Sequence, residues 1–592
     1  MDLDEFLIKL KSSNESNKHG NLINSLERLS SLCETLTRLA PQHDWKDLPY
    51  NGFRSLIKLC NLFTINVLRV KCNPLIVNND QESLINTIKL LIAMTERAVD
   101  YHRDGQEPDE GFKCDKVVKT FRDLRQHFDE IEPYLKSYWA DNALFWMTPD
   151  SRWVPYYFSL VYSLVHRFPK SLLASVSNTE YANIMTFSTW KATLFFPINL
   201  ANYVDNFITR TYSGLRFMVS DVEYREFMVP RQSKWIINDD GSRISSSPED
   251  DDKFMREKKE TVLCHLMRYK PHQPSGDVII HAQGGGLVVD ARQLHEEYLR
   301  DWVQQLDGST IINIAYSRFV RYPFALQEIL DVFLWLTSGD DQVDKMIGFK
   351  PKRIICLGDS AGAYLLFSLC LVARDIQLIS PMDIKTFPKA LVAFSPILSS
   401  ASSKIFPSFL LSYIDPFLCP SLLLHCFSLY GSGVIFDSDC IDLENVNTNY
   451  QSSSKPINWS TWLTDKYTMS TSSFKNFYNT WLKKGKSWYD CDNETFEERV
   501  NQMASRITIP YISPVVSYDL ETIKDLELYL ISTEFDPLLD TNIELAKKWK
   551  GKLTLDVIDQ MAHGFSAYYS LSNSCYQASK LCLQRLKESV SS

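Results

Sequence analysis

Residues 355–366, ICLGDSAGAYLL, place a serine between small residues at the end of an apolar run. The segment from Gly358 to Gly362 fits the pattern G-x-S-x-G, in which a strand turns sharply into a helix and holds the serine on the bend. Glycines flank such a bend because a Cβ there would collide with the neighbouring strand and helix. A bare match also suits an ordinary turn, so the role of Ser360 depends on the rest of the chain.

On both sides of this segment, short apolar runs alternate with stretches of helical periodicity. The apolar runs are SGDVIIHAQ (275–283), TIINIAY (310–316), KRIICLGDS (352–360), LVAFSPIL (391–398), LELYLIST (526–533) and KLTLDVID (552–559). The stretches of helical periodicity between the first three runs are LHEEYLRDWVQQL (294–306) and FALQEILDVFLWL (324–336). Strands separated by helices of ten or more residues predict βαβ units and a parallel sheet. The polar segment at 437–500 interrupts this pattern and is predicted to be a partly flexible insertion.

The first 230 or so residues have a different character. Apolar residues recur at spacings of three and four in 21–40 and in 81–102, which is typical of amphipathic helices. The polar, acidic and serine-rich segment 230–253 is predicted to be a loop at a domain junction. A chain of 592 residues exceeds what one core usually organises. We therefore predict a helical N-terminal domain at 1–255, ending in a polar linker, and an α/β domain at 256–592.

Composition narrows the classes of function and location. The formal charge of −9 and the lack of a long basic stripe argue against a nucleic-acid partner. Thirteen cysteines without a C-x-x-C pair suit free thiols in a reducing cytoplasm. The charged N-terminus has no apolar core of a signal peptide. Residues 416–436 lack charge, but their prolines, glycines and serines make a poor membrane span. With 406–418 before them, they are candidates for an acyl pocket, a lipid contact or a buried segment.

A nucleophilic serine needs a base, and in the strand–elbow–helix architecture the chain order is serine, acid, histidine. Only His425 and His563 follow Ser360 among the eleven histidines. His425 lies inside an apolar run, which favours a packed core residue. His563 follows the predicted strand 552–559, at the sheet edge where catalytic groups of α/β proteins gather. We therefore predict that His563 is the base.

The acid must lie between the serine and the histidine. Asp536 ends the predicted strand 526–533 and is favoured over Asp540 and Glu534, although each carboxylate could also be a helix cap. An oxyanion hole needs backbone donors, and the triple glycine 284–286 follows the first clear strand upstream of the elbow. No sequence pattern for a metal or a nucleotide is present, so neither a cofactor nor a metal is predicted.

These motifs resemble those of a known family. GDSAG at 358–362, DPLLD at 536–540 and AHGF at 562–565 resemble the elbow, acid and histidine motifs of the hormone-sensitive lipase group of α/β-hydrolases. Longer stretches resemble the same group, namely HAQGGGLVVDARQLHEEYLRDW (281–302), LLSYIDPFLCPSLLLHCFSLYG (410–431), IPYISPVVS (509–517) and, in the N-terminal region, YNGFRSLIKLC (50–60) and ALFWMTPDSRWVPYYF (143–158). The resemblance implies an α/β-hydrolase fold, a mostly parallel sheet flanked by helices, preceded by a mainly helical domain for dimerisation or lipid docking.

The resemblance also implies a function. It indicates a serine lipase or esterase that hydrolyses acylglycerols, diacylglycerol above all, and cholesteryl or retinyl esters. Ser360 would be the nucleophile, His563 the base and Asp536 the orienting acid, and the oxyanion donors would be Gly285, Gly286 and Ala361. The implied protein is a homodimer in the cytoplasm, peripheral on lipid droplets and without a transmembrane span.

Two departures from the group's pattern affect the site. The group usually has histidine where this chain has Gln283, and here His281 stands two residues earlier. Arg321 occupies a position where the group usually has glutamate. Two other functions therefore stay open, a carboxylesterase of soluble small esters and a non-catalytic lipid-droplet binding protein.

Overall fold

The computed structural model describes residues 20–71, 81–104, 114–141, 220–231, 234–238, 259–287, 292–318, 320–398, 405–415, 509–517, 519–569 and 573–591, with some isolated positions between them. Its first part is helical, as predicted. The helices are α1 (Gly20–Leu39), a 3-10 turn (Ala40–His43), α2 (Gly52–Lys71), α3 (Gln81–Asp104) and α4 (Cys114–Asp141). Leu22, Leu26 and Leu29 on α1 are buried at spacings of three and four, which is the amphipathic pattern read from the sequence.

The remaining elements alternate strands and helices along the chain. They are β1 (Val222–Pro230), β2 (Ile236–Ile237), β3 (Ile244–Ser245), β4 (Thr261–Tyr269), β5 (Asp277–Ala282), α5 (Arg292–Val303), β6 (Thr310–Ile314), α6 (Phe324–Thr337), α7 (Asp341–Ile347), β7 (Arg353–Asp359), α8 (Ala361–Ile379), β8 (Ala390–Phe394), a 3-10 helix (Pro407–Tyr413), α9 (Pro514–Ser517), a 3-10 helix (Leu520–Ile523), β9 (Glu527–Phe535), α10 (Leu539–Lys548), β10 (Leu553–Ala562), a 3-10 helix (Phe565–Tyr568) and α11 (Asn573–Ser591). Each strand predicted between 275 and 559 forms.

The described strands build one mixed eight-stranded sheet in the order β1-β4-β6-β5-β7-β8-β9-β10, beside the small pair β2-β3. From β6 to β10 all neighbours are parallel, whereas β1, β4 and β6 pair antiparallel. Apolar clusters cover both faces of the sheet. Because parallel strands end at the same edge, the segments after β5, β7, β9 and β10 meet there.

The predicted boundary at residue 255 is wrong, because three strands precede it: β1, and the pair β2–β3 inside the segment 230–253 that was predicted to be a loop. Val222–Pro230 pairs with Thr261–Tyr269 and forms the edge of the sheet, so the sheet begins upstream of the predicted linker. In this edge strand, VEYREFMVP, charged side chains lie in solvent, and buried and exposed positions do not alternate regularly. A strand that buries so few side chains gives little apolar alternation for the sequence to reveal.

The helical region shares an apolar core with the α/β part of the chain. Leu410, Leu411 and Tyr413 of the 3-10 helix 407–413 lie in the same apolar cluster as α1 to α4, together with Phe535 at the end of β9. Residues 405–415 are therefore largely buried against the N-terminal helices and do not form an exposed lipid contact. Most of 416–436 and of the insertion 437–500 lies outside the described residues.

One helix in the described part of the chain has the length and composition of a membrane span. This helix is α8, and 78% of its most apolar window is buried inside the protein. It packs directly behind the elbow, between the sheet and α6, so its apolar character is explained by the core.

Candidate active site

The elbow has the geometry that its motif predicts. Ser360 joins β7 to α8 with φ 52° and ψ −119°, a conformation that non-glycine residues rarely adopt. A Cβ at Gly362 would lie 2.1 Å from the carbonyl oxygen of Ala282, and one at Gly358 would lie 2.7 Å from the amide nitrogen of Ala363. Glycine is therefore required at both positions, on the strand side and on the helix side of the bend.

Ser360, His563 and Asp536 meet at the carboxyl edge of the sheet. His563 Nε2 lies 3.0 Å from Ser360 Oγ, and His563 Nδ1 lies 3.1 Å from each carboxylate oxygen of Asp536. A carboxylate can only accept, so Nδ1–H donates to Asp536 and Nε2 is left to accept from the serine hydroxyl. The three residues come from the ends of β7, β9 and β10.

The electrostatics of His563 follow from its neighbours. Burial alone would lower the pKa of His563, but the facing carboxylate of Asp536, with contributions from Asp359 and Asp415, raises it to about 9. The carboxylate of Asp536 is fully buried and also accepts from the backbone N–H of Leu538 at 2.8 Å. This arrangement favours a charged imidazolium, the form that arises when the histidine takes a proton.

A second carboxylate, which the sequence reasoning missed, lies beside the nucleophile. Asp359 accepts from the hydroxyl of Ser566 and lies 3.1 Å from Nε2 of His295. Burial opposes the charged form of Asp359, but its hydrogen bonds to His295 and Ser566 and the nearby His563 lower its pKa below the usual value. Asp359 thus connects the elbow to α5 and to the turn after His563. The sequence feature that could have identified Asp359 is its place next to the serine, as the second residue of G-x-S-x-G.

The glycine loop lies next to the elbow because β5 pairs with β7, with Ala282 opposite Gly358. Gly285 and Gly286 have φ of 122° and 61°, values suited to glycine. Ala361 is the first residue of α8, where backbone N–H groups have no helical acceptor. The three predicted oxyanion donors therefore belong to two segments that flank Ser360.

The two departures from the family pattern occupy different surroundings. Gln283 is buried, its carbonyl oxygen accepts from Tyr316 Oη at 2.7 Å, and its Oε1 finds no partner among the described residues. His281 is a core residue bonded to Asn313 and close to Tyr298, and burial lowers its pKa to about 3. Arg321 is exposed. None of these side chains disturbs the contacts of Ser360 with His563.

The alternative acids have other partners. Asp540 accepts from the backbone N–H groups of Gly52 and Ser408, each at 2.8 Å. Glu534 bonds Lys58. His425 lies outside the described residues. Within the described part of the chain, no group of three histidine, cysteine or acidic side chains is arranged to hold a metal ion.

The arrangement of a buried serine, a histidine and an orienting carboxylate beside a glycine loop can carry out acyl transfer. A protein-family profile described as the alpha/beta hydrolase fold matches residues 279–436, which include the glycine loop and the elbow. Hormone-sensitive lipase of Mus musculus is 34% identical over 180 residues, which cover 29% of this chain and 22% of the lipase.

Two further similarities are weaker. Esterase LipU of Mycobacterium tuberculosis is 26% identical over 21% of this chain and 36% of its own length. The structure of an esterase from Pyrobaculum calidifontis covers 64% of this chain and 90% of its own, with 16% identity and a TM-score of 0.39. The chain thus matches only about a fifth of the mouse lipase. Residues 279–436 thus match the alpha/beta hydrolase fold, and part of the chain is similar to hormone-sensitive lipase.

Proposed function

We propose that the protein is a carboxylic ester hydrolase that works through an acyl-serine intermediate. The observation that carries the proposal is the chain of contacts from Ser360 Oγ to His563 Nε2 at 3.0 Å and from His563 Nδ1 to Asp536 at 3.1 Å. These contacts have both the distances and the order that a serine nucleophile needs. The similarity to a lipase and to an esterase supports the same class of reaction.

In the first step, His563 takes the proton of Ser360 as the serine oxygen attacks the ester carbonyl carbon. The N–H groups of Gly285, Gly286 and Ala361 would then stabilise the oxyanion, and Asp536 would stabilise the imidazolium. The proton on His563 goes to the departing alcohol, which leaves an acyl ester on Ser360. A water molecule attacks this ester by the same route, and the products are a carboxylic acid and the free serine.

The proposed substrates are acylglycerols, with diacylglycerol favoured, and cholesteryl and retinyl esters. Support comes from the lipase among the relatives and from the sequence resemblance. The proposal includes a homodimer in the cytoplasm that binds lipid droplets peripherally. The N-terminal helices are the proposed site of dimerisation, lipid docking or both.

The test compares a soluble short-chain nitrophenyl ester with emulsified diacylglycerol, using purified protein and the variant Ser360→Ala. We expect hydrolysis of both substrates by the native protein and none by the variant. Labelling with a fluorophosphonate should modify the native protein and not the variant.

The two other possible results of this test would indicate different functions. Cleavage of the soluble ester alone would point to a carboxylesterase of small esters. A folded native protein that cleaves neither substrate and resists the fluorophosphonate would refute the hydrolase and favour a lipid-droplet binding protein.

A further inference from the structure

The beginning of α2 contacts both segments that carry the acid and the histidine of the site. We name residues 50–58 the N-terminal brace. Ser55 Oγ donates to the carbonyl oxygen of Glu534 at 2.5 Å, and Lys58 Nζ donates to Glu534 Oε2 at 2.6 Å. Tyr50 Oη donates to Asp559 Oδ1 at 2.5 Å. Glu534 lies two residues before Asp536, and Asp559 lies four before His563.

The carboxylate of Glu534 connects these two segments to each other. Its Oε2 also accepts from the backbone N–H of Gln560 at 2.8 Å. Gln560 has φ 54° and lies in an irregularity of β10, where pairing with β9 shifts register between Ile558 and Ala562. A bulge re-aims the residues that follow it, and His563 is the third residue after Gln560. Glu534 therefore holds the bend that directs His563 towards Asp536.

This carboxylate depends on a positive charge. The side chain of Glu534 is 6% exposed, and a buried charge is tolerated only when it is paired. Lys58 supplies the counter-charge at 2.6 Å from a helix that lies almost 480 residues earlier in the chain. Without the ammonium group, Glu534 would lack its counter-charge and would turn towards solvent. That movement would weaken its bond to the Gln560 amide.

We propose that Lys58 is a positioning residue for the hydrolase reaction, acting through Glu534 and the bulge at Gln560 to fix His563 against Asp536. The inference rests on the proposed function, because it concerns the geometry of the same triad. It also gives the helical region a part in catalysis that is separate from any contact with lipid or with a second subunit.

The experiment compares Lys58→Met with Lys552→Met in the full chain. Lys552 forms a more exposed ion pair of 2.8 Å with Glu527 at the other end of strand β9, so Lys552→Met removes a lysine–glutamate pair on the same strand that does not contact the triad. We expect Lys58→Met to lower kcat about tenfold with KM within twofold, since small displacements of a catalytic group cost large factors in rate. Lys552→Met should retain the native kcat.

A pH profile separates positioning from a loss of folded protein. Contact with Asp536 raises the pKa of His563 to about 9, so a looser contact should move the acid limb of kcat/KM to lower pH. A loss of folded protein lowers the rate without moving that limb. Lys58→Arg, which keeps the charge, should restore most of the rate. Glu534→Gln should reduce the rate like Lys58→Met, and the double variant should be no worse than either single one.

The outcomes distinguish this inference from the proposed function. If Lys58→Met has the kcat and the pH profile of Lys552→Met while the native protein is active, Lys58 has no positioning role and the hydrolase stands. If the native protein neither turns over esters nor reacts with the fluorophosphonate, the hydrolase itself fails, and this inference fails with it. If Lys58→Met does not fold, the pH profile of the folded variant Glu534→Gln decides, and an unmoved acid limb would overturn the inference.

Discussion

Ser360 and His563 face each other across 3.0 Å, but the chain holds them by different means. The residues that hold Ser360 on its bend are adjacent in the chain, namely the end of β7, the start of α8 and the two flanking glycines, and Gly362 lets this bend pack against β5. The position of His563 depends on distant parts of the chain: Asp536 bonds its ring, Asp359 bonds Ser566 in the turn that follows it, and the N-terminal brace bonds the segments that carry the acid and the histidine. One half of the site is thus encoded locally, and the other half is encoded by tertiary structure.

This difference explains what the sequence could reveal. A locally encoded feature leaves a short motif, because every residue it needs is adjacent in the chain. A feature built by tertiary contacts leaves single residues scattered over hundreds of positions, with no spacing to recognise. The predictions below test whether the two halves of the site fail in these different ways.

The largest effect is expected at the acid. Asp536→Asn should reduce kcat by about four orders of magnitude, because it removes the charge that orients and stabilises His563. Asp540→Asn should lower kcat by less than tenfold, since Asp540 bonds backbone N–H groups of Gly52 and Ser408 and does not face His563. Steady-state hydrolysis of a nitrophenyl ester measures both. Equal losses in the two variants would mean that the acid has been assigned to the wrong carboxylate.

The next effect concerns a tertiary contact far from the site. Arg231 and Asp331 form an ion pair of 2.8 Å with both side chains fully buried, linking the end of β1 to α6. Arg231→Met should lower the free energy of unfolding by about 3–5 kcal/mol, because it leaves the buried carboxylate of Asp331 without its counter-charge. Lys350→Met, which removes an exposed pair with Asp341, should change it by less than about 1 kcal/mol. Denaturant titration measures the free energy of unfolding of both variants. Similar losses would mean that the pair Arg231–Asp331 does not stabilise the contact of β1 with α6.

The elbow half of the site is tested at Gly362, where the bend packs against β5. A Cβ there would lie 2.1 Å from the carbonyl oxygen of Ala282, so Gly362→Ala should cost about 1–3 kcal/mol of stability and reduce activity by displacing the elbow. Gly20→Ala is the control, because its Cβ would meet no atom within 4 Å. Thermal unfolding with a parallel activity assay measures both effects. An active and stable Gly362→Ala variant would show that the elbow can accommodate a Cβ at this position, contrary to the expectation from its geometry.

The last effect is a dependence on pH. His563 acts as a base only when neutral, and its pKa is raised to about 9. Therefore kcat/KM should rise about tenfold per pH unit between pH 6 and 8 and level off near pH 9. The raised pKa also means that charged His563 stabilises the fold fully below its ordinary pKa of 6.5, and that this contribution is lost as the pH rises through 9. A rate that is constant between pH 6 and 8 would exclude His563 as the titrating base.

Much of the fold follows from the sequence. The parallel strands from 275 to 559 are short apolar runs bounded by helices, and each of them forms where it was expected. The pair β2–β3 was missed because its two-residue strands lie in the polar segment 230–253, which was predicted to be a loop. Strands β1 and β4 were missed because they extend the sheet antiparallel at its edge, outside the alternation of strands and helices. Their pairing is fixed by contact with β6 and α6, and contact between distant segments is not visible in a local pattern.

The site was partly predictable for the same reason. Chain order and motif led to Ser360, Asp536 and His563, and the structure brings these three side chains together. Asp359 was overlooked because its partners His295 and Ser566 lie 64 and 207 residues away. Glu534 was weighed only as an alternative acid. Its contacts with Lys58 and Gln560 appear only once the helices are packed on the sheet.

The shared core around residues 407–413 has a consequence for proteolysis. These residues belong to the catalytic part by sequence, but they are buried among the N-terminal helices. A protease that cut the chain between residues 246 and 258 would leave two fragments joined by this apolar cluster, by the β1–β4 pairing and by the N-terminal brace. The nicked protein should therefore migrate as one particle in gel filtration and as two bands after denaturation.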